Sequence, residues 1–448
     1  MFDMFKQFID WLWLYPILII LVGGGITMSI TLNFFQITKL PFILKETFGK
    51  IFKKGEGDGT ITPFQAATSA LASTIGAANI VGVPLAIATG GPGSIFWMWI
   101  IAIFGCALKY SEIILGIKYR VKNEDGEYVG GPMYYLKNGA KMPLLGSLFA
   151  FFLMVEIAPS IATQSASIVQ TAETINIPPI ISCSVLVFIV GLVVYGGIKR
   201  ISKVTEKLVP FMAVAFFLIS LTVVLINFKN IPYAFNLIFK GAFNPTAAAG
   251  GFTGSIVSAT IRAGAARGAY STEAGMGTST IAHSAAVTDF PARQALWGVF
   301  EVIVDTLFIC TITALLVLTT GIWSDLGADK AAAMPSMAIQ SVLGTKFGGG
   351  FLTICMLMFV LSTLIVIIFY GEKQAEYLFG LKTSKLVRLI YLCFIIIGAL
   401  CKLGNVVVLL DSALACVIAT NMIGVIKLRK EVKEESDKFF ESQKAKAN

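Results

Sequence analysis

The stretch from residue 68 to residue 99 reads TSALASTIGAANIVGVPLAIATGGPGSIFWMW, and the rest of the chain is interpreted around it. It is apolar enough to enter a bilayer, yet Gly76, Gly82 and Pro84 interrupt it near the middle, with Asn79 among them. A helix broken there leaves backbone N–H and C=O groups without partners, which hydrocarbon tolerates only where they line a cavity or meet a ligand. Because secondary transporters bind their substrates at such breaks, the stretch predicts a transporter's binding site.

The composition indicates a polytopic membrane protein. Of the 448 residues, 56% are hydrophobic and 14% are charged, and the mean hydropathy is +0.80. Such values exclude a soluble domain, and they make the bilayer a better explanation of the net charge of +9 than nucleic acid is. The single histidine, His283, and seven scattered cysteines leave no metal-ligand cluster, so we expect no cofactor.

The hydropathy of the chain predicts eleven membrane-spanning helices, since a span needs about 20 apolar residues. The expected fold class is therefore all-α. The spans are expected at residues 11–35, 63–89, 94–117, 144–170, 178–198, 208–227, 246–286, 295–320, 348–380, 386–402 and 404–427.

The distribution of basic residues predicts the orientation. With the N-terminus outside, most of the 35 Lys and Arg residues fall in cytoplasmic loops or in the C-terminal tail, as the positive-inside rule requires. We therefore expect a multi-pass protein of the prokaryotic inner (plasma) membrane with a cytoplasmic C-terminus. The tail itself is expected to be a solvated flank of charged residues.

The second and seventh spans are the two that glycine interrupts. Because they are five positions apart in the order of spans, each half has an odd number of helices, so the two halves have opposite orientations and form an inverted repeat. We expect a peripheral helix and loop at 1–60, five-helix repeats at 61–228 and 229–427, and a tail at 428–448. The sequence at Ala263–Arg267 is similar to that at Ile75–Asn79, and this similarity predicts the second break near Gly264.

Several motifs resemble those of the alanine or glycine:cation symporter family, whose members are sodium-coupled amino-acid carriers of the leucine-transporter fold. The resemblance lies between residues 60 and 380. It is carried by TIGAANIVGV, GGPGSIFWMW, LKYSE with KYR, GGPMYYL, RGAYSTEAGMG, AHSAAVTDFPARQAL and FYGEKQAEYLFG. It implies symport of a small neutral amino acid, such as alanine or glycine, into the cell by alternating access.

The resemblance also implies the positions of both ligands. Backbone N–H groups of Gly76, Ala77 and Ala78, with the Asn79 amide, would bind the substrate carboxylate at a half-helix dipole. Sodium would be bound by oxygen atoms, which suit a hard cation. These would come from the carbonyls of Ala72 and Ile75 and the hydroxyls of Ser362 and Thr363.

A second set of residues is implied for the rest of the substrate. Gly264, Ala265 and Gly268 would form the second break, and Ile367 would line the side-chain end of the pocket. The tryptophan that is typical of the family after Ser362 and Thr363 is absent here, so we expect a wider pocket. Such a pocket would admit a larger or more polar side chain, such as that of serine or glutamine.

Charged residues at membrane depth are candidates for coupling or gating. Lys109 and Glu112 are expected to pair on one helix, and Glu301 with Asp305 share a helix face four residues apart. Such a carboxylate pair indicates a proton or second-cation site, or a partner for Arg262. Glu156 is expected either to pair with Arg262 or to face a polar substrate. Arg267 and Glu273 are expected to hold the second half-helix or a gate.

Other functions were weighed against sodium symport. Proton coupling would use the same architecture with a carboxylate as the carrier. A membrane enzyme needs a catalytic pair or a metal cluster, and only Glu301 with Asp305 offers one, so we expect no enzyme. A channel needs a continuous wet path, which two broken helices of opposite orientation do not favour.

Overall fold

The computed structural model describes residues 2–173, 177–243, 253–324, 326–400 and 403–447. Within these ranges the protein is almost wholly helical, with one small hairpin formed by β1 (Val121–Lys122) and β2 (Tyr128–Val129). The predicted all-α membrane fold is therefore confirmed.

The principal helices follow the predicted order of spans, with shorter helices between them. They are α1 (Met4–Thr31), α2 (Leu40–Thr47), α3 (Pro63–Thr74), α4 (Ala78–Gly90), α5 (Ser94–Lys118), α6 (Pro143–Glu173), α7 (Pro179–Val194), α8 (Gly197–Ile226), α9 (Ile231–Phe243), α10 (Thr253–Thr272), α11 (Ser279–His283), α12 (Pro291–Thr319), α13 (Met334–Leu343), α14 (Thr345–Phe379), α15 (Leu381–Leu400), α16 (Leu403–Lys427) and α17 (Arg429–Ala447).

Seven of these helices are long and apolar enough to cross a membrane, and α3 with α4 forms an eighth, bent span. Helices α7, α10 and α15 occupy the positions of the three other predicted spans. The first span differs from 11–35, because Asn33 and Phe34 adopt positive φ and end the helix at Thr31. The predicted seventh span begins with residues 246–252, and the predicted tenth span ends with residues 401–402. Both segments lie outside the described residues.

The break in the second span is where the sequence predicts it. Thr62 caps α3 reciprocally with Gln65, and α3 ends where Ile75 leaves helical geometry at φ −80° and ψ 88°. The chain resumes as α4 after a bend of 46°. The residues around Gly76 are therefore non-helical, as expected.

The break in the seventh span is not where the sequence similarity to Ile75–Asn79 predicts it. Helix α10 runs without interruption through Gly264, Ala265 and Gly268, so the predicted break there is wrong. The chain instead breaks between α10 and α11, where Glu273 has φ +53° and Gly275 and Gly277 also have positive φ.

The close packing of α10 against α5 explains why glycines occur at positions 264 and 268, where a break was predicted. A Cβ atom at Gly264 would lie 2.2 Å from the backbone oxygen of Ser94, so only glycine allows this approach of α10 to α5. Gly268 lies one turn further along and faces Met98. Small residues at this spacing let membrane helices approach closely.

Two groups of helices surround the breaks. Helix α6 packs against α14, α15 and α16, whereas α5 packs against α10 and α12. Helix α3 lies between α8 and α14. Both broken spans are thus enclosed by continuous helices.

The C-terminal helix α17 is docked on the protein, so the predicted solvated flank is wrong. Phe439 is fully buried and its ring packs near the rings of Phe42 and Phe290. Val432 is fully buried as well. Apolar residues at helical spacing within the charged tail are the signal that could have predicted this packing.

Polar contacts also hold α17. The Glu431 carboxylate accepts a hydrogen bond from Tyr119 at 2.5 Å and pairs with Lys118 at 2.9 Å. Burial raises the pKa of Glu431, but these two partners outweigh burial and leave that pKa below its ordinary value. Because the pKa is lowered, this contribution to docking is present at neutral pH and is lost as the pH falls through it.

Candidate functional site

The two breaks contact each other directly. The hydroxyl of Ser73, just before the first break, lies 3.2 Å from the Glu273 carboxylate, which begins the second break. The Thr278 hydroxyl also donates to that carboxylate. Asn79 on the second span lies 3.3 Å from Ser271 on the seventh. The predicted proximity of the breaks is present, although the second break lies further along the chain.

The N–H groups of the first break already have acceptors within the protein. Gly76 N donates to Asn79 Oδ1 at 3.0 Å, and Ala77 N donates to Gln164 Oε1 at 3.2 Å. The Asn79 amide donates to Asp305 at 2.6 Å, so it points away from the cavities that border the break. Asn79 therefore closes the break internally in this conformation, where a substrate contact was expected.

Gln164 is a site residue that the sequence reasoning missed. It lies on α6 with Glu156 and Ser160, and the spacing of four residues places all three on one face of the helix. A polar face on an otherwise apolar span was the available signal. The face borders a small inner cavity of about 20 Å³, enough for about one water molecule.

The inner cavity lies between both breaks and α14. Of the predicted substrate residues, Ala78 and Ile367 line it, whereas Gly264, Ala265 and Gly268 do not. Its other lining residues are Ser73, Thr74, Glu156, Ile157, Ser160, Gln164, Tyr270, Glu273, Met276, Thr278, Thr363 and Tyr370.

A larger, open cavity of about 740 Å³ lies beyond the inner one, on the side of the N-terminal helix. Ala78, Gln164 and Tyr270 line both cavities and therefore form the partition between them. The large cavity also carries the charged residues Lys6, Asp10, Arg262, Arg267 and Asp411.

The residues predicted to hold sodium are buried where the first break meets α14. The Thr363 hydroxyl lies 2.9 Å from the Ala72 carbonyl across the helix interface. The Ser362 hydroxyl donates within its own helix, to Phe359 O at 2.9 Å. Ile75 is the residue at which α3 ends. Uncharged oxygen donors of this kind fit a hard monovalent cation.

The charges at membrane depth pair differently from the predictions. Lys109 contacts Glu301 at 3.2 Å, whereas Glu112 accepts from Asn421 at 2.6 Å, so the predicted Lys109–Glu112 pair is wrong. His283 lies 2.6 Å from the same Glu301, as a hydrogen-bonded packing residue.

Glu301 and Asp305 have separate partners. Helix α12 changes to π-helical geometry at Ile303–Cys310, which alters the spacing that would have put both carboxylates on one face. The Asp305 carboxylate accepts from Ser271 at 2.6 Å and from Asn79.

The arginines of α10 pair with helices at the two ends of the chain. Arg262 pairs with Asp10 of α1, and Arg267 contacts Asp411 of α16 at 3.3 Å. Because Arg262 pairs with Asp10, its predicted salt bridge with Glu156 is absent among the described residues. Trp13 Nε1 donates to the Asp411 carbonyl at 2.9 Å, so α1 borders the large cavity and is not merely peripheral.

Comparisons with known proteins agree with this architecture. The chain is similar to the uncharacterized transporter YflA of Bacillus subtilis, with 48% identity over 97% of this chain and 92% of that protein. It is 38% identical to the sodium/alanine symporter AgcS of Methanococcus maripaludis, over 98% of this chain and 97% of AgcS. A crystal structure of MhsT in complex with L-phenylalanine matches with a TM-score of 0.63 at 14% identity. That match covers 85% of this chain and 93% of MhsT.

The structural match supports the leucine-transporter fold, and the sequence relatives support the family. The family model described as the sodium:alanine symporter family matches residues 1–448, the whole chain. With two broken helices meeting beside a polar cavity, the protein is a transporter and not an enzyme. It is a multi-pass membrane protein that belongs to the sodium:alanine symporter family.

Proposed function

We propose that this protein is a symporter that couples sodium entry to uptake of a small neutral amino acid by alternating access. The observation that carries the proposal is the meeting of the two helix breaks beside the inner cavity, with Ala78 in its wall. Alanine, glycine, serine and glutamine are the candidate substrates. The proposed location is the plasma membrane, with the large cavity facing outward.

The substrate carboxylate is proposed to bind at the first break. In this step it takes the place of Gln164 Oε1 on the N–H of Ala77, while Gly76 keeps its bond to Asn79. The N-terminal end of α4 adds a favourable dipole for an anion. Because Gln164 is part of the partition between the cavities, its displacement would link substrate binding to access.

Sodium is proposed to bind between the carbonyls of Ala72 and Ile75 and the hydroxyl of Thr363, whereas the neighbouring Ser362 hydroxyl stays bonded to Phe359 O of its own helix. The short distance between Thr363 and Ala72 supports this position. A cation there joins α14 to the end of α3, and its charge lies close to the proposed carboxylate site. This arrangement would make substrate affinity depend on sodium.

The two ion pairs in the large cavity are proposed to act as an outer gate. Arg262 with Asp10 and Arg267 with Asp411 connect α10 to α1 and α16. Alternating access would then move α10 relative to α1 and α16, and it would break and re-form these pairs. Glu273 is proposed to hold the second break through Ser73 and Thr278.

Proton coupling is the second candidate. Two buried carboxylates, Glu156 and Glu273, line the inner cavity, and either could carry a proton. Glu301 is a weaker candidate because Lys109 neutralises it, and Asp305 is a weaker one because hydroxyl and amide donors surround it.

Uptake by proteoliposomes tests the proposal. Purified protein is reconstituted, and labelled alanine, glycine, serine and glutamine are offered under an inward sodium gradient, a proton gradient, or neither. Accumulation above the external concentration that requires sodium supports symport. Accumulation driven by protons alone contradicts sodium coupling, and equilibration without accumulation contradicts symport.

A further inference from the structure

A lysine side chain is buried against the end of α10. Lys109 on α5 is 1% exposed, and its ammonium group donates to the carbonyl of Thr272, the last residue of α10, at 2.9 Å. The last carbonyls of a helix have no partner within the helix, and the helix dipole makes them attractive to a cation. Lys109 therefore satisfies a carbonyl group at the point where the second break begins.

The contact of Lys109 with Glu301 is the less directed of its two contacts. Glu301 Oε2 lies 3.2 Å from the ammonium nitrogen, but within the described part of the chain it accepts no hydrogen bond. The ammonium group is thus aimed at the end of α10, and the carboxylate lies beside it as a counter-ion. A buried ammonium group needs such a counter-ion, because removing an unpaired charge from water is costly.

The other oxygen of Glu301 connects this group to both broken spans. Gln294 Nε2 donates to the carbonyl of Pro63 at the start of α3 at 3.1 Å, and it lies 2.9 Å from His283 Nδ1 of α11. An amide nitrogen only donates, so Nδ1 accepts and the imidazole proton is on Nε2, which lies 2.6 Å from Glu301 Oε1. Among the described residues, Lys109 is therefore the cation that pairs with Glu301.

The second break thus has a fixed positive charge where the first break has the proposed sodium ion. At the first break, the Ala72 carbonyl in the last turn of α3 faces the Thr363 hydroxyl and the proposed cation. At the second break, the Thr272 carbonyl at the end of α10 faces the ammonium group of Lys109. The C-terminal ends of half-helices are the groups that bind cations in transporters, and here one such end is bound from within the chain.

We propose that Lys109 is a positioning residue that fixes the end of α10 in the geometry that transport requires. Glu273 follows Thr272 directly, has φ +53°, and accepts a hydrogen bond from Ser73 of the first break. Loss of the ammonium group frees the Thr272 carbonyl and loosens the contact between the two breaks. The inference rests on the proposed function and names the group that holds the residue before Glu273.

Two single variants that break the same ion pair test the inference. Lys109→Met removes the hydrogen bond to Thr272, whereas Glu301→Gln removes the counter-ion and leaves the lysine nitrogen as a donor. Sodium-driven uptake per folded protein, measured in proteoliposomes at saturating sodium and substrate, should fall at least about tenfold further in Lys109→Met than in Glu301→Gln. A hydrogen bond that involves a charged group is worth that factor or more. Equal losses in the two variants would overturn the inference, because an ion pair alone predicts them.

The double variant, Lys109→Met with Glu301→Gln, separates folding from transport. Its thermal midpoint in detergent should be higher than that of Lys109→Met, because no unpaired buried charge remains. Its uptake should stay at the level of Lys109→Met, because the Thr272 carbonyl still lacks its donor. Recovery of uptake together with stability would overturn the inference.

Lys118→Met is the matched control for the loss of a lysine from α5. Lys118 pairs with Glu431 and Glu435 of α17, away from both breaks, so this variant should keep uptake within about twofold of the wild type. If the wild type itself accumulated no amino acid, the proposed function would fail. Equal losses in Lys109→Met and Glu301→Gln of an active wild type would overturn only the role of Lys109.

Discussion

Thr363 and Ser362 are neighbours on α14, yet their hydroxyl groups contact different helices. Both hydroxyls lie within 3.0 Å of Phe359 O in their own helix. Outside that helix, the Thr363 hydroxyl lies 2.9 Å from the carbonyl of Ala72 at the end of α3, whereas the Ser362 hydroxyl lies 3.5 Å from Met212 Sδ of α8. Both side chains are buried. The difference makes Thr363 the stronger candidate for a ligand that connects the two helices.

Substitution of each hydroxyl should therefore have unequal effects on sodium. Thr363→Ala should raise the sodium concentration for half-maximal uptake by about tenfold, because a cation loses one oxygen ligand. Ser362→Ala serves as the matched control and should change it by less than about twofold. The measurement is initial uptake rate against sodium concentration at saturating substrate. Equal shifts in both variants would argue against this assignment.

At the scale of elements, the contact between α10 and α5 depends on two glycines one turn apart. Gly264 lies against the backbone of Ser94, so there is no flexible side chain that can move away. Gly268 faces the side chain of Met98, where an added Cβ atom would lie 3.3 Å from Cγ. The two positions differ in how much the neighbour can yield.

Alanine substitution should separate these two contacts. Gly264→Ala forces the helices apart, and such overpacking costs about 1–3 kcal/mol. Gly268→Ala requires a small movement of Met98 and gains helix propensity of up to about 1 kcal/mol, so it should be close to neutral. Thermal unfolding in detergent, followed by size-exclusion chromatography, measures the difference. A Gly264→Ala variant as stable as the wild type would contradict the packing.

At the scale of the whole molecule, the large open cavity and the small inner cavity are separated by the partition formed by Ala78, Gln164 and Tyr270. Ala259 is exposed and lines this cavity. Phe52 is 98% exposed in the loop after α2, and the basic residues of that loop favour a cytoplasmic position. In the proposed orientation, the two positions therefore report on opposite sides of the membrane.

Cysteine labelling should show this asymmetry. In a background without the seven native cysteines, Ala259→Cys should react with a membrane-impermeant maleimide in intact cells, and sodium with substrate should slow the reaction. Phe52→Cys is the control and should react only after permeabilisation. Labelling of Phe52→Cys in intact cells would reverse the proposed orientation.

The sequence determined the membrane fold, the helix order and the first break, because these depend on local properties. Apolar length specifies spans, and Gly76, Gly82 and Pro84 together within one apolar span indicate a break. The resemblance to the family was confirmed by the family model, which matches the whole chain. The pairing of Thr363 with Ala72 followed from that resemblance, since no spacing rule connects residues 291 positions apart.

Only the tertiary structure decided what each glycine and each buried charge does. Gly264 and Gly76 look alike in sequence, but the first packs against Ser94 while the second lies at a break, and that distinction depends on a neighbouring helix. Charges in a bilayer pair with whichever opposite group is nearest in space. Lys109 therefore contacts Glu301 of another helix and not Glu112 one turn away, and Glu156 is left facing the cavity.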